Sequence, residues 1–169
     1  IKKGSSCLLH SSLRGLGLIS GVNIIDTPEF IINDILKKLN KNGTLTALTP
    51  FYDYGLKNKI FDIKKSPSSK ELGAMSDYIF KNKKSYRSIN PPFNLSSIGK
   101  KGRYISEAPA PTSFGYNSSW DRLYKLNSNM IFLGCNLSVC TFVRYIEFRF
   151  GVPYLYNKYF KKKITNGNK

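Results

Sequence analysis

Histidine is nearly absent from this chain: His10 is the only one among 169 residues. No HExxH pattern and no cluster of carboxylates accompanies it, so no transition-metal site is expected. Cysteine is scarce too. Cys7, Cys135 and Cys140 are odd in number and form no CxxC pair, which excludes a disulfide framework and a zinc signature. A reduced, cytoplasmic setting follows as the default expectation. There is no long apolar run, hence no expected transmembrane helix. A charged-then-apolar leader with a cleavage site is missing from a sequence that starts at Ile1. Acidic residues are few: ten Asp and Glu stand against 27 Lys and Arg, for a net charge of +17. A GxSxG elbow is lacking, so a Ser-His-Asp triad has no support beyond His10 itself.

What is present reads as globular. Hydrophobic residues make up 41% and aromatics 14%, which argues against disorder. The length suits one domain with a core of its own. Residues 1–160 are expected as that domain and 161–169 as a basic, flexible tail, with Lys161, Lys162 and Lys163 as the one dense cationic run. The positive balance favours anionic partners such as nucleic acid, a membrane surface or phosphorylated small molecules. The charges are otherwise scattered, as on a solvated surface. No helix carries a basic stripe and no RNA-binding or helix-turn-helix motif occurs, so nucleic acid is not the expected partner, although the eleven tyrosines could stack on bases.

Apolar spacing predicts strands that alternate with helices. Residues 6–10 read as a short buried strand, followed by turns through Gly15, Gly17 and Gly21. Thr27 and Pro28 mark a helix start, with Thr27 as the cap. Ile31, Ile32, Ile35, Leu36 and Leu39 then form one stripe, and Asn42-Gly43 ends the helix. Residues 44–49 and 93–98 read as strands, 70–81 as a helix behind the Ser66-Pro67-Ser68-Ser69 cluster. Ser118 or Ser119 caps a short helix, 130–133 is a strand, and Ser138 opens a helix that Gly151 and Pro153 stop. The alternation predicts a layered α/β domain.

Three Gly/Ser turns lie at element ends: Ser11-Ser12, Ser66–Ser69, and Ser113-Phe114-Gly115. Their N–H groups and hydroxyls suit a phosphate or a pantetheine arm.

The order of segments resembles the aminoglycoside 3-N-acetyltransferase (antibiotic N-acetyltransferase) family. The matching stretches are "HSSLRGLG" (10–17), "GTLTALTPFYDYG" (43–55), "SPSSKELGAMSDYIF" (66–80), "RSINPPFNLSSIGKKG" (87–102), "TSFGYNSSWDRLYKLN" (112–127) and "CTFVRYIEFRFGVPY" (140–154). The resemblance implies an α/β/α sandwich with a mixed central sheet, distinct from the GCN5-type fold. It implies transfer of an acyl group from acetyl-CoA or another acyl-CoA to the amine of an amino sugar, without a metal. The acceptor would be an aminoglycoside, or a nucleotide-linked amino sugar of surface-polysaccharide synthesis. No membrane span is expected; the oligomeric state is left open, with a homodimer as one alternative. The resemblance further implies a chain shorter than its relatives, with a helical segment expected before "IKKG" and sheet residues after "VPY".

Site residues follow from the same resemblance. The family's base is the histidine of Arg-Ser-x-His-Pro. Here the motif reads Arg87-Ser88-Ile89-Asn90-Pro91, so the base position holds Asn90, which cannot accept a proton. The acidic residue of the late helix matches Glu147, and a histidine ahead of it is replaced by Arg144. Coenzyme A contacts are expected at Ser11, Ser12, Leu13, Ser68, Ser69, Ser113, Phe114 and Gly115. Arg87, Asp53 and Arg144 are expected on the substrate side. His10 is favoured as a packed strand-end residue that steadies Ser11 and Ser12, its rival role being a recruited base. Glu147 on a helix, or Arg87 on a surface, could equally be solvated. Two other readings stand beside the acyltransferase: an inactive or truncated binding module of the same fold, and a basic nucleic-acid-binding domain.

Overall fold

The computed structural model describes residues 1–57, 59–107, 110–161 and 163–167. In chain order the elements are β1 (Ser6–Ser11), α1 (Leu13–Leu16), α2 (Thr27–Leu39), β2 (Thr44–Leu48), α3 (Asp53–Leu56), β3 (Phe61–Asp62) and α4 (Gly73–Lys81). There follow β4 (Tyr86–Arg87), β5 (Leu95–Gly99), α5 (Gly102–Ser106), α6 (Ser119–Lys125), β6 (Asn129–Leu133), α7 (Phe142–Phe150) and β7 (Ile164–Thr165). The main sheet has the order β4-β5-β2-β1-β6. Strands β2, β1 and β6 are parallel, while β5 runs antiparallel to β2 and β4 antiparallel to β5. This is the expected layered α/β fold with a mixed central sheet.

Strand alternation divides the core. Cys7 and Leu9 of β1 face one side with Leu45, Ala47 and Ile98, under the apolar stripe of α2 and Met75 and Ile79 of α4. Leu8 faces the other with Leu48 and Leu95, under Ile105, Trp120, Leu123, Phe142 and Tyr145 of α5, α6 and α7. Small polar side chains fill the sheet where no bulky group fits: Thr46 and Ser97 exchange a hydrogen bond at 2.8 Å, as do Thr49 and Ser96. Each buried hydroxyl thereby satisfies the other.

Several boundaries differ from the sequence reading. Asp26, not Thr27, precedes the first helical residue of α2, and the Thr27 hydroxyl donates back to Asn23 O at 3.0 Å. That helix stops at Asn40, whose φ is +60°, two residues before the expected Asn-Gly pair. The helix expected over 70–81 is interrupted at Gly73 (φ +77°), with a 3-10 turn at Lys70–Leu72 before α4. Pro91–Phe93 form another 3-10 turn, which delays β5 to Leu95. The segment from Ser138 makes only a 3-10 turn (Leu137–Val139), and α7 begins at Phe142. Ser118 caps α6 by accepting from Asp121 N.

The tail expected to be flexible is anchored instead. Ile164 and Thr165 pair in parallel with Phe61 and Asp62. Asp62 Oδ2 accepts from Thr165 Oγ1 at 3.0 Å and from Gly167 N at 3.1 Å. Its other oxygen accepts from the N–H groups of Lys64 and Lys65. Burial alone would raise the pKa of Asp62, but these bonds outweigh it and hold the pKa below the usual carboxylate value. Lys162, Asn168 and Lys169 of the basic run and tail lie outside the described residues.

Candidate active-site cleft

Three pieces of backbone enclose a cleft of about 860 Å³: residues 89–93, residues 110–114, and α7 with the chain that follows it. The first piece is stiffened by Pro91 and Pro92, whose rings fix φ. The core pins it, since Trp120 Nε1 donates to Phe93 O at 2.8 Å and Phe51 N to Pro91 O at 2.8 Å. The second piece is held by Phe114, whose ring packs 4.8 Å from Phe93 and 5.5 Å from Trp120. Asp121 ties this loop to both neighbouring helices. It accepts from Asn117 N at 2.8 Å, from Tyr145 OH at 2.9 Å and from Lys125 Nζ at 2.7 Å. Burial pushes the Asp121 pKa up, yet those donors prevail and keep it depressed. Burial, then the adjoining Asp121, raises the Tyr145 pKa to about 12.

The third piece turns on Gly151, which ends α7 in the left-handed conformation (φ +65°, ψ +40°). The chain then doubles back past the helix. Tyr154 reaches Glu147 and donates its hydroxyl to Oε1 at 3.0 Å. Arg144, one turn earlier on α7, binds Oε2 at 2.8 Å. Hydrogen bonding to Glu147, with burial second, raises the Tyr154 pKa. Farther along, the Phe160 ring lies 5.5 Å from Tyr54 and closes the far wall.

The fold gathers part of the expected set. Asn90, Ser113, Phe114, Arg144 and Glu147 line one cleft, although they come from three separate stretches of sequence. Asn90 Nδ2 reaches Ala110 O at 3.5 Å and so spans the first two walls. Gly115 lies behind the wall, its N–H donated to Thr112 Oγ1 at 2.9 Å.

The remaining expected residues do not line it. Ser12 N–H donates to Leu133 O at 2.9 Å, and Ser12 Oγ caps α1 by accepting from Gly15 N at 3.4 Å. Ser11 and Leu13 flank it at the carboxyl end of β1. Ser69 folds against the 50–52 loop, accepting from Tyr52 N at 3.0 Å, and Ser68 is buried beside it. Asp53 pairs with Lys59 at 2.8 Å and Lys57 at 3.2 Å, and the hydrogen bonds from those lysines, Lys59 first, lower its pKa. Its neighbour Tyr54 takes the place at the cleft.

Arg87, expected on the substrate side with a solvated surface cation as the alternative, is buried, only 9% accessible. Its guanidinium lies 4.3 Å from the Phe80 ring centroid and 5.0 Å from that of Phe61. It donates to Thr49 O at 2.6 Å and to Ser66 O. With the Asn94 amide oxygen turned toward it, Nε donates there at 2.6 Å. Burial lowers its pKa to about 9, so the side chain stays cationic at neutral pH. Carbonyl dipoles and aromatic faces stabilise that charge in place of a carboxylate. Arg87 is not among the described residues that line the cleft.

His10 is buried at 6% exposure and stacked on Phe132, centroids 5.1 Å apart and 14° from parallel. Among the described residues its Nε2 has no hydrogen-bond partner, and burial lowers its pKa. Sequence reasoning missed Tyr154, Tyr54 and Phe160. The Gly151-Val152-Pro153 break was the signal that the chain reverses after α7, but which residue would meet Glu147 depends on the path of the return.

A three-layer α/β/α fold with a cleft built on an Arg-Ser-Ile-Asn-Pro loop and a late-helix glutamate defines the class: the chain belongs to the aminoglycoside 3-N-acetyltransferase family, which it matches over residues 8–169. Aminoglycoside N(3)-acetyltransferase IV of Salmonella sp is 27% identical over 155 residues, 91% of this chain and 56% of that protein. The apoenzyme structure of aminoglycoside acetyltransferase AAC(3)-IVa shares the fold with a TM-score of 0.79 at 26% identity, covering 91% of this chain and 57% of that one. AAC-IIIb, solved as a binary complex with CoASH, shares it with a TM-score of 0.75 at 19% identity, covering 87% and 59%. The chain therefore spans little more than half the length of these relatives. Among the described residues, no helix is long and apolar enough to cross a membrane, and no group of three or more His, Cys, Asp or Glu could hold a metal ion.

Proposed function

We propose that the protein is an acyl-CoA-dependent N-acyltransferase acting on the amine of an amino sugar in this cleft. The observation that carries the reading is the convergence of Asn90, Ser113, Arg144 and Glu147 on one cavity, whose 860 Å³ lies within the range of small-molecule sites. The family and the CoASH complex of a structural relative support acyl-CoA as donor.

The chemistry assigns each group a task. An ammonium has no lone pair, so a proton must leave before nitrogen attacks the thioester carbon. Among the described residues Glu147 is the only carboxylate lining the cleft, and it receives that proton. Arg144 and Tyr154 occupy one lone pair on each of its oxygens and fix its orientation, leaving further lone pairs for the amine. Asn90 cannot accept a proton, but its amide N–H and the Ser113 hydroxyl are donors suited to the oxyanion of the tetrahedral intermediate. As that intermediate collapses the C–S bond breaks, and the proton passes to the departing thiolate.

Charge favours one acceptor class. Among the described residues, the charged ones lining the cleft are Arg144, Glu147 and Lys158. A polycationic aminoglycoside would meet one carboxylate, already paired. A nucleotide-linked amino sugar would bring phosphates to Lys158 and Arg144 and a base to the aromatic wall of Tyr54, Phe148 and Phe160. A second reading, an inactive binding module, is favoured by Asn90 at the base position.

The test is thiol release from acetyl-CoA by the purified protein, with panels of aminoglycosides and nucleotide-linked amino sugars. Amine-dependent release with the nucleotide sugars is expected. Preference for aminoglycosides would overturn the charge argument while leaving the acyltransferase intact. Absence of release, with coenzyme A still bound, would replace the enzyme by the inactive module.

A further inference from the structure

The turn from Ser88 to Leu95 carries Asn90 into the cleft, and its sequence leaves it little backbone ladder of its own. Pro91 and Pro92 have no N–H to donate. The neck is closed, since Ser88 N donates to Leu95 O at 2.9 Å and Leu95 N to Ser88 Oγ at 2.9 Å. Inside it, Phe93 N bonds back to Asn90 O at 3.2 Å. The Pro91 carbonyl takes its donors from outside the peptide groups of the turn. One is Phe51 N at 2.8 Å. The other is the side chain of Asn94, which is fully buried. With its oxygen turned toward Arg87, its NH2 group donates to Thr49 O at 2.6 Å and to Pro91 O at 3.1 Å. Thr49 N donates to Asn94 O at 2.9 Å, so side chain and backbone of Asn94 both tie the turn to the end of β2.

Arg87 decides which way that amide faces. An amide carries its acceptor on one side and its donors on the other. The guanidinium presents donors alone, so the Asn94 oxygen faces it and accepts from Nε at 2.6 Å. The NH2 group is thereby committed to the two carbonyls. Arg87 itself is fixed by Thr49 O and Ser66 O and by the rings of Phe61 and Phe80. We propose that Arg87 and Asn94 are a positioning pair for the cleft: Arg87 orients the Asn94 amide, and Asn94 holds Pro91 so that the adjoining Asn90 keeps its donor in place. Neither is among the described residues that line the cleft, so both act through Asn90. The inference rests on the oxyanion role proposed for Asn90. Such a donor works only where the charge develops, and a displacement of about 1 Å is enough to cost about 10²-fold.

Asn94→Asp tests the pair. It keeps the shape and an acceptor for Arg87, and it loses the donors to Thr49 O and Pro91 O. Hydrogen exchange reads the turn without any substrate. The Phe51 amide should exchange about tenfold faster or more in the variant, while the amides of β1 in mid-sheet keep their rates. Thiol-release kinetics reads the consequence, with Asn90→Ala as the reference background. In the wild-type background Asn94→Asp should lower kcat about tenfold or more and leave the KM for acetyl-CoA within about twofold. In the Asn90→Ala background it should lower kcat hardly further, because the group it positions is gone. Arg87→Lys keeps the charge but not the planar fork and should show the same pattern, which carries the test where Asn94→Asp does not fold. Equal losses in both backgrounds, or Phe51 exchange unchanged in both variants, would overturn the proposal. Absence of amine-dependent release from the wild type would instead overturn the acyltransferase reading, and the exchange rates would then decide whether the pair holds the turn.

Discussion

Asn90 and Glu147 show how a residue's neighbours decide what its chemistry can be. Glu147 is held on both oxygens, by Arg144 at 2.8 Å and by Tyr154 at 3.0 Å. Asn90 faces the same cleft with no basic atom to offer. If Glu147 receives the proton, Glu147→Gln should lower amine-dependent thiol release by about 10²-fold or more, the usual scale of a positioned acid or base. Asn90→His should raise it, with a rate that climbs with pH through about 6.5 as the imidazole becomes neutral. Steady-state rates across pH check both, and an unchanged Glu147→Gln enzyme would remove the glutamate from the chemistry. Asn90 and Glu147 were legible from motif matching because they sit in short, ordered patterns. Arg87 was not: its pattern also suits a surface cation, and only the packing of Phe61, Phe80 and the Thr49 carbonyl around it buries the charge.

Elements were legible where apolar periodicity is long and boundaries are chemical. The α2 stripe and the strands β1, β2 and β6 follow from it, as does the stop at Gly151. Ends were less legible wherever a contact from elsewhere sets them. The turn after β1 and the turn after β6 touch so closely that a Cβ on Gly15 would stand 1.9 Å from Gly134 O. Backbone, not a flexible side chain, occupies that space. Gly15→Ala should therefore destabilise the fold by about 1–3 kcal/mol, the scale of an overpacked site, and lower the thermal midpoint. An unchanged midpoint would mean that the two turns separate without cost. Beside them Ser11 pairs with Leu133, and Ser12 N–H donates to Leu133 O at 2.9 Å.

Across the whole molecule, buried and half-buried ionisable groups make stability depend on pH in two steps. The folded pKa of His10 is lowered by burial, so its neutral form supports the fold fully above the unfolded value of about 6.5 and less as pH falls below it. Asp62 and Asp121 are also depressed when folded, so their contribution is complete above about 3.9 and is lost as pH falls further. Urea unfolding should thus weaken first below about pH 6.5 and again below about pH 4. His10→Phe, which keeps the stack on Phe132, should abolish the first step alone. Persistence of that step in the variant would assign it to another group. By itself the sequence determined the layered class, the alternation of strands and helices, the cationic balance and the family, because those depend on local periodicity, composition and ordered short motifs. Only the tertiary structure decided which residues share the cleft, that Arg87 is buried and His10 stacked, and that the tail is anchored by Asp62. Those depend on contacts between segments far apart in the chain, whose partners no local pattern specifies.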